Sequence, residues 1–143
     1  MGDLSRFLKK NKKTKANLKI AATTSFLDDN GKPLLWEIRP LTTKEDNALR
    51  EDCTVDVQVT GKPGMYRPKF YANRYLAKMA AACVVYPNLN DKELQDSYGV
   101  MGAEQLIVEM LDDPGEYNAF MSQLLEYHGF DKTVQDKVDE AKN

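Results

Sequence analysis

Val55-Asp56-Val57-Gln58-Val59-Thr60 and Tyr71-Ala72-Asn73-Arg74-Tyr75-Leu76-Ala77-Lys78-Met79-Ala80-Ala81-Ala82-Cys83-Val84-Val85 obey different periods, and the change between them decides the fold. In the first stretch valine occupies every second position, the pattern of a half-buried strand. Gly61-Lys62-Pro63-Gly64 reads as a turn. Met65 to Phe70 reads as a returning edge strand, because Pro68 has no N–H to give a ladder. The second stretch is apolar on almost every side of a helical wheel, with Arg74 and Lys78 as a thin polar stripe. That is the mark of a central buried helix, which Pro87 is expected to end. The two periods segregate near Phe70, which predicts an α+β fold rather than alternating α/β units. The expectation is an N-terminal antiparallel sheet of three to four strands, then a bundle of helices, with no strand between residues 75 and 130.

Upstream, Leu18, Ile20, Ala22, Thr24 and Phe26 alternate with Lys19, Ala21, Thr23 and Ser25. Asp28-Asp29-Asn30-Gly31 follows, and Asn-Gly is a strong hairpin signal because both residues tolerate positive φ. Leu34, Trp36 and Ile38 then share a face, so residues 18–40 read as a β-hairpin with Pro33 at the start of its second strand. Thr42 and Glu45 have capping-box spacing, predicting a short helix to about Asp52. Downstream, Asn90-Asp91-Lys92-Glu93 opens a short helix that closes near Gly99. Leu106, Ile107, Met110 and Leu111 mark the next. Asp113-Pro114-Gly115-Glu116 combines an N-cap, Pro at the first helical position and an early acidic residue. Tyr117, Phe120, Met121, Leu124, Leu125 and His128 form the apolar stripe of that last helix, and Gly129 is its expected C-terminal stop. Val134 and Val138 leave only a thin stripe beyond it.

The chain has 143 residues, enough for one core without disulfide or metal. No apolar run approaches the ~20 residues that span a bilayer; the longest is Met79 to Tyr86. The N-terminus lacks the apolar core of a secretion signal, and Arg6 breaks the myristoylation pattern, so the chain is expected to stay where it is made. Cys53 and Cys83 have neither disulfide-framework nor zinc spacing. Cys83 reads as a small core residue and Cys53 as a residue at an element boundary. Residues 1–20 carry seven Lys or Arg and one acidic residue; residues 104–143 carry ten acidic residues and three basic ones. The predicted organisation is a basic arm with a short amphipathic turn over 1–17, one α+β domain over 18–130, and a polar tail over 131–143.

The single histidine, His128, reads as a boundary residue favoured by the helix dipole. A Cys–His nucleophile would need Cys53 or Cys83 to meet it in space. No phosphate-binding, metalloprotease, serine-hydrolase or calcium-loop motif occurs. Asp28-Asp29 and Asp112-Asp113 are adjacent pairs that point apart, so they suit turns and caps better than acid–base work. No cofactor, metal or catalytic residue is expected. Tyr66, Phe70, Tyr71, Tyr75, Tyr86 and Tyr98 surround the predicted central helix, where each suits either a core or a protein interface.

Two blocks carry a family resemblance. The first is Phe26-Leu27-Asp28-Asp29-Asn30-Gly31-Lys32-Pro33 with Trp36-Glu37-Ile38-Arg39 and Thr42-Thr43-Lys44-Glu45. The second is Ala80-Ala81-Ala82-Cys83-Val84-Val85-Tyr86-Pro87-Asn88-Leu89-Asn90-Asp91 with Leu94-Gln95-Asp96-Ser97-Tyr98-Gly99-Val100-Met101-Gly102-Ala103. With Pro114-Gly115-Glu116-Tyr117, they resemble the XkdN-like tail assembly chaperones of tailed phages, prophages and phage-tail-like particles of Gram-positive bacteria, over about residues 3–131. The resemblance implies a non-enzymatic protein of the bacterial host cytoplasm. Its partners would be the tape-measure protein, a long helical client it keeps soluble, and tail-tube subunits; it would be absent from the finished particle. The resemblance also implies that a longer, frameshifted form is possible, with Lys142-Asn143 as a candidate slip site.

A helical client calls for apolar surface on its chaperone. Tyr86, Leu89, Tyr98, Val100 and Met101, near helix ends, are the candidate partner-binding residues. Two other classes compete: a permanent structural component of a tail or tail-like particle, and a small nucleic-acid-binding regulator using the Lys-rich arm, whose binding would collapse with salt. The acidic domain behind that arm makes nucleic acid the weaker partner; no membrane partner is expected, and self-association is open.

Overall fold

The computed structural model describes residues 3–130; the predicted polar tail lies outside the described residues. Among these, five strands and five α-helices follow two short 3-10 turns, Asp3–Phe7 and Lys9–Asn11. The class is α+β, with strands gathered toward the N-terminus and helices toward the C-terminus.

The 18–40 hairpin exists, but its strands are short. β1 (Leu18–Ile20) pairs antiparallel with β2 (Trp36–Ile38), Leu18 opposite Ile38 and Ile20 opposite Trp36. The alternation predicted through Phe26 stops after Ile20, because the chain finds a better acceptor than a ladder. Glu116 takes the Thr24 N–H at 2.8 Å and the Thr23 hydroxyl at 2.8 Å. These bonds draw Ala22 and Thr23 inward together, where a strand would alternate them. The Asn30-Gly31 turn is present as a small closed loop. Asp28 Oδ1 accepts the Asn30 and Lys32 N–H groups at 2.8 and 3.0 Å, and Gly31 supplies φ of 78°. Leu27 and Pro33 meet there as an isolated bridge.

α1 (Thr43–Asp52) starts where its capping box predicts. The Thr42 side chain accepts the Glu45 N–H at 3.1 Å, and the Glu45 carboxylate accepts the Thr42 N–H at 3.0 Å. The Arg39 guanidinium grips the same carboxylate with bonds of 3.0 and 2.7 Å. That pair first, and the Thr42 N–H second, hold the Glu45 carboxyl down at about 2. A depressed folded-state value stabilises the fold above the ordinary carboxylate range and loses that stabilisation as the carboxyl protonates. Glu45→Gln is therefore expected to cost about 1 kcal/mol at pH 7, screening of this part-exposed pair included. The difference from wild type should vanish as pH falls from the ordinary value of 4.5 to about 2. Urea titrations at pH 7 and at pH 2 or below check this; a pH-independent difference would refute it.

β3 (Thr54–Gln58) and β4 (Tyr66–Phe70) form the predicted antiparallel hairpin, but as a separate two-stranded sheet. It is not half-buried: nearly every residue on both faces is exposed. The Tyr71 N–H bonds the Cys53 carbonyl at 2.8 Å, and the Val59 N–H bonds that of Met65 at 2.8 Å. By the two-residue period, Pro68 then turns its donorless nitrogen to the outer edge, which blunts that edge against strand addition. Cys53, expected at a boundary, is fully buried where α1 ends.

α2 (Ala72–Cys83) is the central helix, touching α1 and three elements still to come in the chain. Tyr75, Met79, Ala80 and Cys83 line its buried face. It stops three residues before Pro87, and here the sequence expectation fails. Val84, Val85 and Tyr86 form β5 (Val84–Tyr86), a strand within the span expected to hold none. β-Branched and aromatic residues favour extended backbone, and β2 has an edge to fill. β5 pairs antiparallel with β2, Ile38 opposite Val84 and Glu37 opposite Tyr86, so the sheet order is β1-β2-β5. The Tyr86–Pro87 peptide is cis.

α3 (Lys92–Ser97) is capped by Asp91, α4 (Ala103–Met110) follows, and α5 (Pro114–His128) is capped by Asp113. α5 ends as predicted. Gly129 takes φ of 78°, its N–H bonds the Glu126 carbonyl, and the Phe130 N–H bonds that of Leu125, which satisfies the last carbonyls. Lys78 on α2 pairs with Glu104 on α4 at 3.2 Å. The core runs between sheet and helices through Trp36, Ile38, Met79, Leu106, Phe120 and Leu124. No described helix is long and apolar enough to cross a membrane.

Candidate functional site

Leu34-Leu35-Trp36 is an apolar run entering β2, and a strand can bury only alternate residues. Trp36 goes inward, 2% exposed, and packs edge-on against Phe120 with centroids 5.8 Å apart. Leu34 and Leu35 stay at the surface, Leu35 at 54% exposure. With Phe26 they make one wall of an apolar cleft of about 160 Å³. Tyr86 and Pro87, leaving β5, make its end. Leu94 and Tyr98 of the α3 region and Met110 of α4 close the far wall. Almost nothing polar faces into it. Burial, then the nearby Asp112 carboxylate, raise the Tyr98 phenol above its ordinary value.

Of the five candidate residues, the structure brings Tyr86 and Tyr98 together in this cleft. Leu89 is only 1% exposed, a core residue that cannot itself touch a partner, and its carbonyl accepts the Gln95 side-chain amide at 2.8 Å. Val100 is half-buried in the turn after α3. Met101 is 99% exposed and does not line the cleft. Phe26, Leu34, Leu35, Trp36, Pro87, Leu94 and Met110 also line the cleft and are not among the sequence candidates. The sign that could have found them was the unbroken Leu34-Leu35-Trp36 run, which no single strand face can bury.

Of the aromatic set around α2, only Tyr75 enters the core. Its hydroxyl donates to Asp46, and Arg50 joins both, bonding Asp46 at 2.8 Å and stacking 4.6 Å from the Tyr75 ring. Phe70 and Phe130 complete the cluster, 5.9 and 5.6 Å from the same guanidinium. This is the anchor of the exposed hairpin. Tyr66, Tyr71 and Tyr86 are surface residues.

The cysteine–histidine encounter does occur: Cys83 Sγ lies 3.9 Å from His128 Nε2. Its chemistry is structural. Nε2 accepts the Leu41 N–H at 2.9 Å, and Nδ1 donates to the Leu124 carbonyl at 2.8 Å. Both ring nitrogens are thus committed to backbone in the neutral Nδ1–H tautomer. Burial pushes the Cys83 thiol up to about 12, the opposite of what a nucleophile needs. Among the described residues, no group of three or more His, Cys, Asp or Glu could hold a metal ion.

Comparison with known proteins agrees over nearly the whole chain. The chain is 25% identical over 141 residues to the phage-like element PBSX protein XkdN of Bacillus subtilis (strain 168), covering 99% of this chain and 94% of that protein. It is 26% identical over 141 residues to protein YqbN of the same organism, covering 99% and 93%. The crystal structure of YqbN superposes with a TM-score of 0.74 at 22% identity, spanning 92% of this chain and 99% of that one, so the fold is shared. The model of the phage XkdN-like tail assembly chaperone proteins matches residues 4–142, and the chain belongs to that family.

Proposed function

We propose that the protein is a non-enzymatic chaperone of tail assembly, acting in the bacterial cytoplasm, whose client is the tape-measure protein. The carrying observation is the apolar cleft between the 26–36 segment, Tyr86 and Tyr98. An amphipathic helix binds by laying apolar side chains into such a groove, and tape-measure chains are long helices. Held this way, the client stays soluble while tail-tube subunits gather on it, and the chaperone leaves before the particle is complete. Tyr86 and Tyr98 are the proposed contact residues, with Val100 and Met101 as a flanking surface. The fully committed His128 supports the non-enzymatic reading.

Co-expression with the cognate tape-measure protein tests this. Wild type is expected to raise the client's soluble fraction several-fold, and Tyr98→Glu to abolish the gain while the chaperone itself remains folded. No gain with wild type would overturn the client assignment. Purified particles should lack the protein; its presence at fixed stoichiometry would favour a structural component.

A further inference from the structure

The N-terminal arm poses a physical problem. Leu4 and Phe7 are 78% and 82% exposed, and the 3-10 turn that carries them buries nothing. Beside them, Arg6, Lys9, Lys10, Lys12 and Lys13 have no carboxylate within ion-pair distance among the described residues. The arm is nonetheless not adrift at its root. The Lys15 ammonium donates to the Tyr127 carbonyl and lies 4.9 Å from the Tyr127 ring, and the Tyr127 hydroxyl donates to the Ala16 carbonyl. This root lies at the C-terminal end of α5. Phe120, which backs the cleft through Trp36, sits about two helical turns nearer its start.

The opposite character is found in the segment that supplies Leu94, Tyr98 and Met110 to the cleft. Residues 88–113, which include α3 and α4, carry seven acidic residues and one lysine. Lys92 and Lys78 pair with Asp96 and Glu104. Glu93, Glu109 and Asp112 have no ion-pair partner among the described residues. An arm with apolar side chains and unpaired cations thus matches a surface with an apolar cleft and unpaired carboxylates. The cleft, at about 160 Å³, is near the size of an apolar cavity of about 150 Å³ that accepts benzene, so one phenyl ring fits.

We propose that the arm docks on a second copy of the chain, with Phe7 in the cleft and the arm's lysines against the acidic α3–α4 wall. Lys12, Lys13, Thr14 and Lys15 lie beside Pro40, Leu41, His128 and Phe130, none of which lines the cleft, and this placement favours the partner's cleft over the chain's own. Two copies exchanging arms would close as a dimer; one-way docking would build a chain of copies. The proposal rests on the arm and the cleft and is independent of the tape-measure reading. Where both hold, arm and client compete for one cleft.

Sedimentation equilibrium of the full chain tests it, at low and high salt and with Phe7→Asp and Leu35→Asp variants. Both positions are exposed, so both variants should fold, as circular dichroism and thermal melting can verify. Wild type is expected to self-associate, more weakly in high salt. Each variant should associate at least about tenfold more weakly, from the apolar burial lost. An equimolar mixture of the two should regain association, because one supplies a working cleft and the other a working arm. A monomeric wild type, variants that associate like wild type, or a mixture that stays monomeric would each overturn the proposal. So would association that disappears on nuclease treatment, which would return the arm to nucleic acid. A Phe7→Cys/Leu35→Cys double variant that closes its disulfide within a monomer would show docking in the arm's own chain and overturn the second copy.

Discussion

Trp36→Ala is expected to destabilise the protein by about 3–5 kcal/mol, the range for removing a buried aromatic side chain. The indole is 2% exposed and bridges β2 to Phe120 on α5. Deleting it opens a void where sheet and helix meet and forfeits the edge-to-face contact with Phe120, itself worth about 1 kcal/mol. Because Trp36 also backs the apolar cleft, the same change should weaken whatever docks there. Urea unfolding at 25 °C measures the loss, which corresponds to roughly 10–20 °C in melting temperature for a chain of this size. A loss below about 1 kcal/mol would mean that the sheet and α5 do not pack through this residue.

His128→Ala is expected to cost about 3 kcal/mol, and His128→Phe less. His128 accepts the Leu41 N–H just before α1 and stacks on Phe130 with centroids 5.5 Å apart and planes 10° off parallel. Alanine removes acceptor and ring together. Phenylalanine keeps an aromatic face for Phe130 but leaves the part-buried Leu41 N–H bare, at about 1 kcal/mol, the low end for an unsatisfied donor. The ordering wild type, then Phe, then Ala in urea unfolding checks the assignment. A His128→Phe variant as stable as wild type would show that the Leu41 bond contributes nothing, and would reopen the question of what the histidine beside Cys83 is for.

Several parts of this fold follow from short-range chemistry and were readable in the chain. The Thr42/Glu45 capping box, the Asp91 and Asp113 caps, and the Gly129 stop each involve residues within a few positions of one another. The predicted central helix does pack against elements on several sides, but it is not enclosed: Tyr75, Met79, Ala80 and Cys83 are buried, while its first turn, Ala72-Asn73-Arg74, is exposed. The misreadings share a different cause. Val84-Val85-Tyr86 continues an apolar helix on paper and becomes a strand because Glu37 and Ile38, more than forty residues earlier, offer an edge. The run Ala22-Thr23 leaves its strand because Glu116 sits across from it.

The candidate site divides along the same line. Tyr86 and Tyr98 were identifiable as aromatic residues at element ends, where burial on both sides is hardest to achieve. That Leu35 would share their cleft, and that Leu89 would sink into the core, depended on where β2, β5 and α3 come to rest. The sequence by itself determined the class of fold, the side-chain-capped helix starts, the Gly129 stop and the family, since all of these are written in local spacing and contiguous motifs. The tertiary structure alone decided the strand order β1-β2-β5, the bare β3–β4 hairpin, the neutral His128 clamp and the apolar cleft. Each of these depends on groups distant in the chain reaching the same place, and no local propensity encodes which distant partner a backbone edge or a ring nitrogen will meet.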